Sequence, residues 1–529
     1  MPYQQREFMK GALILTVAAF VIKVLSAVYR VPFQNIVGDV GFYIYQQVYP
    51  FYGIALGLST FGFPVMISKL VAEKNKREDI RFIISTSFLF ISIIGGLLFT
   101  FTYFGAPFIA KWMGDSHLTG LIQTISFSFL IMPFVSVIRG FYQGKGQMVP
   151  SAVSQVTEQS IRVTTILLLS YILVSHGYSF YLVGKGALLG SILGGLGGMF
   201  VLFFYIRQNR FSPSYPKTSS LKRRTIWKRL AFQGILICLS SMILVLYQLV
   251  DALNLYFGLV KSGLSPLDAK IEKGIYDRGQ PLLQLGTIVA TSISLIIVPM
   301  IATAFERDHM AAVKKYVQMS LKVSFVVGVG AAIGLVNIMK PINQMLFENT
   351  NGSHVLAVFC LSILFSSLIL TLSAVLQGVG EFFTPAWAIA LGLLLKYVGN
   401  QLLITKLGTM GASVSTVLSM LIVSFILWWK IKRKFPLKVF TNEMIKKCLL
   451  ATMMMTVSIQ LWIMMLSYFP FIADDRLHST FISISSVVIG GIMFVYSVLK
   501  SGVFKENELA FLPYGHQLVL ISNKIYKRG

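Results

Sequence analysis

Fourteen apolar runs, each close to or above the roughly 20 residues a helix needs to cross hydrocarbon, follow one another along this 529-residue chain. Inside a bilayer every backbone N–H and C=O must find its partner within the protein, which leaves only helices and closed barrels. A barrel would show strands of about 10 residues with alternating polarity. These runs are about twice that length and do not alternate. They lie near 11–31, 44–68, 82–106, 118–139, 151–174, 184–206, 231–257, 279–304, 317–340, 354–376, 382–404, 409–430, 444–467 and 479–500. The expected fold is therefore an all-α polytopic membrane protein. Composition agrees: only 12% of residues are charged, about half the share in a soluble domain.

Charge orients the chain. Lys and Arg outnumber Asp and Glu by 46 to 20, a formal net charge of +26. On a soluble protein such an excess would suggest nucleic acid. Here basic loops facing anionic lipid explain it, and no nucleic-acid partner is expected. With fourteen spans both termini share a side. Of the 46 basic residues, counting those at span ends with the adjoining loop, 32 fall on that side, 9 on the other and 5 within spans. The positive-inside rule then places both termini in the cytoplasm. The first run contains Lys23 and is too long for a signal-peptide core, so it reads as a retained helix. Cys238, Cys360 and Cys448 lie in or beside apolar runs and imply no disulfide framework.

The largest basic loop, RQNRFSPSYPKTSSLKRRTIWKR at 207–229, reads as a linker over 207–230. It separates an N-terminal six-helix bundle (1–206) from a C-terminal one (231–430). Two further helices (431–500) and a cytoplasmic tail (501–529) follow. A weak internal repeat supports the division: QGKGQMVPSAV at 143 returns as QGVGEFFTPAW at 377. The offset of 234 residues also sets Arg162 against Lys396, and Glu158 against Gly392. Each half holds an even number of spans, so the copies share one orientation and predict a pseudo-two-fold along the membrane normal.

Charges inside a bilayer are costly, so the few present mark function. Glu158 and Arg162 share a face of the fifth span, Lys23 and Arg30 a face of the first, and Lys396 and Asn400 a face of the eleventh. Asp251 and Asn254 lie toward the outer end of the seventh, and Arg278 and Gln284 begin the eighth. The balance is net positive. The simplest arrangement is one water-filled cavity between the bundles, where Lys23, Arg30, Arg162, Lys396 and Arg278 attract an anion such as pyrophosphate. Glu158 and Asp251 would hold those cations when the cavity is empty, with Asn254, Gln284 and Asn400 as supporting polar groups. Arg162 is expected to face Lys396, with Glu158 as its local counter-charge. Two alternatives stand beside this: Arg30, Arg278 and Lys322 can snorkel to an interface, and Glu158 with Arg162 can be a purely structural ion pair. Pro64, Pro133 and Pro299 are hinge candidates. Gly190, Gly194 and Gly198 form a small-residue ridge for close helix packing. No P-loop, HExxH or CxxC occurs, and the six histidines have no ligand-like spacing. Neither enzymatic activity nor a metal or cofactor is expected.

The stretch RGFYQGKGQMVPSAVSQVTEQSIRV, with the fourteen spans and the repeat, resembles the bacterial polysaccharide-type flippases. These belong to the multidrug/oligosaccharidyl-lipid/polysaccharide exporter superfamily. The opening GALILTVAAFVIKVLSAVYRVPFQNIVGDVGFYIY resembles the stage V sporulation protein B branch. The resemblance covers nearly the whole chain. It implies a V-shaped pair of bundles using alternating access in the bacterial plasma membrane. It implies transport of a polyprenyl-(pyro)phosphate-linked oligosaccharide or peptidoglycan precursor from the inner to the outer leaflet, by a monomer. Its partners would be the lipid-linked glycan, membrane lipids and glycan-synthesis enzymes. Relatives include lipid II flippases, whose cavities bear several arginines; this chain has no Lys or Arg between 44 and 68. Three rival functions are a cation-coupled multidrug antiporter, which needs acids to dominate the cavity, a membrane-embedded glycosyltransferase or polymerase, which needs carboxylates or a metal site near the membrane surface, and a non-transporting scaffold for wall-synthesis enzymes.

Overall fold

In the computed structural model the described residues are 3–208, 221–437, 439–468 and 475–504, with 508, 517, 519 and 520. Within them the side chains before Ile14 and at 16, 291 and 293–299 are not described. Half of the expected linker, 209–220, and most of the tail therefore lie outside the described residues.

Among the described residues the only regular elements are helices. In chain order they begin with α1 (Tyr3–Val28), α2 (Arg30–Gly57), α3 (Phe63–Ala72), α4 (Arg77–Phe104), α5 (Ala106–Trp112), α6 (Thr119–Ser126) and α7 (Ser128–Gly144). Next come α8 (Val149–Ser175), α9 (Phe180–Gln208), α10 (Arg223–Arg229), α11 (Ile235–Ser241), α12 (Ile243–Lys261), α13 (Pro266–Asp277) and α14 (Gly279–Gly286). Then follow α15 (Ile288–Glu306), α16 (Met310–Asn337), α17 (Met339–Phe347), α18 (Ser353–Cys360) and α19 (Ser362–Gly378). The last are α20 (Phe383–Leu407), α21 (Thr409–Lys434), α22 (Asn442–Tyr468) and α23 (Asp475–Lys500).

Among the described residues eleven helical stretches are long and apolar enough to cross a membrane. One of them, Val17–Ala72, is 56 residues long and holds two of the expected spans. Helix α8 has the length, 27 residues, but Gln155, Glu158, Gln159 and Arg162 lower its hydropathy. These two cases account for much of the difference from fourteen. Phe101, Phe104 and Phe200 stand 69–72% exposed on α4 and α9, an exposure that lipid makes favourable and water would not. The protein is a multi-pass helical membrane protein.

Chain contacts group the helices into two compact units. The first joins Met1–Leu285 to Glu381–Ser419, and the second joins Gly286–Gly380 to Met420–Gly529. In the first unit α8 packs along α9, α1 lies on α8, α3 and α4 meet α7, α13 lies against α2, and α12 pairs with α20. Helices from both sides of the basic linker thus share one unit. In the second, α15, α16 and α19 pack together, and α22 pairs with α23.

The repeat has a structural counterpart. Helix α7 ends in a turn where Gly146 takes φ 74°, and α19 ends where Gly380 takes φ 79°. Gly146 N–H donates to Gln143 O and Gly380 N–H to Gln377 O, both at 3.0 Å. Each QGxG thus ends one helix with a left-handed glycine before the next begins.

The prolines sit in different settings. Pro64 follows a five-residue π turn, Leu58–Gly62, and occupies the first turn of α3, so the helix widens just before the proline removes an N–H donor. The break lies in that π turn rather than at the proline. Pro133 is inside α7. Pro299 falls within α15, but its side chain is outside the described residues.

The glycine ridge on α9 brings it against α8 at the charged residues. A Cβ on Gly194 would stand 2.6 Å from Glu158 O and 2.9 Å from Arg162 Cβ, whereas one on Gly96 of α4 would meet nothing within 4 Å. Gly194→Ala should therefore destabilise the protein by about 1–3 kcal/mol, and Gly96→Ala should leave it unchanged or slightly more stable. Thermal unfolding of the two variants in detergent checks this; equal midpoints would remove the packing role of the ridge.

Candidate anion-binding site

Two guanidiniums in the first unit, Arg30 and Arg162, are fully buried with no carboxylate in ion-pair contact among the described residues. Arg162 of α8 donates from Nη1 to Gln159 Oε1 at 3.1 Å, and from Nη2 to the hydroxyls of Tyr29 at 2.8 Å and Tyr45 at 3.3 Å. Its guanidinium carbon lies 4.4 Å from the Tyr52 ring centre, 5.2 Å from Tyr29 and 5.5 Å from Tyr49. Tyr45, Tyr49 and Tyr52 all come from α2, and Tyr29 is the residue that joins α1 to α2. Arg30, the first residue of α2, stacks 4.5 Å from the same Tyr49 ring. The two guanidinium carbons are thus no farther apart than the sum of their distances to that ring. With its amide oxygen turned toward Arg30, Gln284 accepts from Nη1 at 3.0 Å and Nη2 at 3.3 Å. Both Arg30 Nε and Arg162 Nε are buried without a partner.

Cation–π contact and neutral acceptors offset part of the cost of burying these charges. They do not neutralise either one. A desolvated cation whose donors are incompletely used favours an anion.

Glu158 is not the counter-charge of Arg162. Its Oε2 pairs with Arg139 Nη2 at 2.7 Å. Arg139 Nε and Nη2 also reach Ser154 Oγ at 3.2 and 2.8 Å, and Nη1 reaches Thr60 Oγ1 at 3.3 Å. Arg139 is fully buried on α7. It is the arginine of RGFYQGKG, and sequence reasoning passed over it because it sits at the edge of the fourth span. Glu158 touches the Arg162 cage only through Tyr52, whose hydroxyl donates to Oε1 at 3.4 Å. Sharing a helix face therefore did not make Glu158 and Arg162 a pair.

Lys396 stands differently from its repeat counterpart. Its Nζ lies 2.7 Å from Asp251 Oδ1 and donates to Thr416 Oγ1 at 2.6 Å. Asn400 donates to Asp251 Oδ1 at 3.0 Å and to Asn254 Oδ1 at 2.8 Å, while Tyr276 donates to Asp251 Oδ2 at 3.0 Å. The structure brings Lys396, Asn400, Asp251 and Asn254 into one buried cluster, and that cluster is neutral. Arg278 is likewise neutralised, held by Asp39 through Nε at 3.0 Å and Nη2 at 2.7 and 2.8 Å. Asp39 follows Gly38, whose φ of 65° kinks α2, and sequence reasoning had not singled it out. It lies between spans, where an acid gives no hydropathy signal. Lys23 is half-buried on α1 and forms no ion pair among the described residues.

Residues 8–305 match the family described as polysaccharide biosynthesis protein. A Bacillus subtilis (strain 168) membrane protein, YabM, is 44% identical over 96% of this chain and 95% of its own length. The chain belongs to the polysaccharide biosynthesis protein family. Other relatives from the same organism are the lipid II flippase MurJ, 22% identical over 94% of this chain and 96% of that protein, and stage V sporulation protein B, 26% identical over 83% and 86%. A solved MurJ structure in an inward closed conformation aligns with a TM-score of 0.67 at 16% identity, covering 92% of this chain and all of the other. That likeness is one of fold.

The pairing of Glu158 can be tested directly. Arg139→Met leaves a buried carboxylate without its cation and should cost about 3–5 kcal/mol. Adding Glu158→Gln should restore much of it, while the same addition should not rescue Arg162→Met. Unfolding midpoints of the single and double variants in detergent decide between the two partners; rescue of Arg162→Met alone would reverse the assignment.

Proposed function

We propose that the protein is a flippase that carries a polyprenyl-(pyro)phosphate-linked oligosaccharide or peptidoglycan precursor from the inner to the outer leaflet of the bacterial plasma membrane, with both termini cytoplasmic. The observation that carries this reading is the pair Arg30 and Arg162: two buried cations stacked on one tyrosine, neither with a carboxylate. A pyrophosphate spans two neighbouring guanidiniums and accepts from several N–H donors at once. Its charge would meet the unused Nε donors, with the tyrosine hydroxyls beside them. The sugar would cross within protein, while the polyprenyl tail stays in lipid. Kinship to a protein described as a lipid II flippase supports the same substrate class.

The other cations take a second place. Lys396 and Arg278 would each have to leave a carboxylate before meeting an anion. Lys23 has no such constraint and remains a candidate for first contact. The antiporter alternative needs an acid free to take an organic cation. Among the described residues the buried acids Asp115, Glu158, Asp251 and Asp277 are each tied to a cation, Asp115 to Lys270 at 3.3 Å and Asp277 to Lys273 at 2.6 Å. The scaffold alternative gives the two unneutralised guanidiniums no task.

Reconstitution in liposomes with candidate polyprenyl-pyrophosphate-linked saccharides, reading their exposure in the outer leaflet with and without a membrane potential, tests the proposal. Arg30→Ala and Arg162→Ala should each slow transport about tenfold to a hundredfold, while Lys396→Ala with Asp251→Ala should retain more activity than either. Full transport by both arginine variants would sink the pyrophosphate role.

A further inference from the structure

Between Glu158 and Asp251 the chain contains no acidic residue, yet eight Lys and Arg crowd 207–229. Five of the eight, Lys222, Arg223, Arg224, Lys228 and Arg229, fall on α10 and the residue before it. Arg224 and Lys228 are one turn apart on one face, with Trp227 beside them. With Arg223, Phe232 and Phe90 of α4 they line an open cavity of about 720 Å³.

The wall of this cavity is fixed. Trp227 Nε1 donates to Thr86 O at 3.3 Å, and its ring lies 5.7 Å from that of Phe90. Arg229 pairs with Glu73 at 2.8 Å, which ties α10 to the end of α3. Arg224 and Lys228 are exposed and form no ion pair among the described residues. Polarity is graded along the chain. The cations and the indole share 222–229, and Phe232, 65% exposed, follows where the apolar span begins.

We propose that this cavity is a binding site for the headgroup of an anionic phospholipid in the leaflet that faces the basic loop. Arg224 and Lys228 would hold its phosphate, Trp227 would lie at the glycerol level, and Phe232 with Phe90 would meet the first methylenes. Indole and cations at one depth are what an interface selects, and each surface cation adds attraction to anionic lipid. A free anion would need none of the aromatic floor and would meet only screened surface charge. The site is independent of Arg30 and Arg162, so its failure would leave the flippase reading standing.

Native mass spectrometry of the full chain in detergent, titrated with phosphatidylglycerol or phosphatidylcholine, tests it. The wild type should bind phosphatidylglycerol in preference. The double variant R224A/K228A should weaken that binding about thirtyfold, and Lys228→Gln alone about fivefold, which carries the test should the double variant not fold. The variant K432A/R433A, which removes two cations from the last turn of α21, should bind as the wild type does. Inorganic pyrophosphate should not displace the lipid. The proposal is overturned if R224A/K228A and Lys228→Gln keep the wild-type preference, if K432A/R433A loses as much, or if inorganic pyrophosphate competes as well as the lipid.

Discussion

Taking a guanidinium out of water without giving it a carboxylate is a costly act, and α8 commits it with Arg162. Much of the first unit can be understood as what makes that burial tolerable. Tyr29, Tyr45, Tyr49 and Tyr52 surround the cation with π faces and hydroxyls. The glycine ridge of α9 lets a second helix close over Glu158 and Arg162 without a side chain between them. Arg139 reaches across from α7 and takes the one carboxylate on that face, Glu158, for itself. The result keeps Arg162 charged, desolvated and unneutralised. A fold selected for stability alone would pair such a charge or replace it with an apolar side chain.

The same unit shows the opposite arrangement twice. Lys396 and Arg278 are each locked to an aspartate. These cations are bound within the protein, and their clusters hold helices together: α12 with α20 through Asp251, Asn254 and Asn400, and α2 with the residue after α13 through Asp39. The repeat conserves the turn that launches α8 and α20, down to its left-handed glycine, and it sets a basic residue at the matching place in each. It does not conserve what that residue does. On α8 the cation is left for an anion, and on α20 it is consumed by an acid from α12.

Much of the fold was legible before any coordinates. Apolar run length announced a bundle of membrane helices but not their breaks: expected spans are split in two at Phe127, Met242, Thr287 and Leu361. Those splits have no hydropathy signature, because each lies within an apolar run. The cations Arg30 and Arg162 were also legible, since a charge in an apolar run is conspicuous. Asp39, Arg139 and Lys273 were not. They lie between spans or at their edges, where charge is cheap and carries no warning, and only the packing of α13 on α2 and of α7 on α8 buries Arg139 and Lys273 and covers most of Asp39.

By itself the sequence determined that this chain is a bundle of membrane helices, because hydrocarbon tolerates no unpaired backbone and the apolar runs are too long for strands. It also determined which positive charges must be taken out of water, because their helices leave them nowhere else to go. The partner of each charge was decided by tertiary structure alone. Helical spacing says that Glu158 and Arg162 share a face, but an ion pair needs the two heads to meet. Arg139, 19 residues before Glu158 in the chain, arrives from another helix and meets the carboxylate first, leaving Arg162 to the tyrosines.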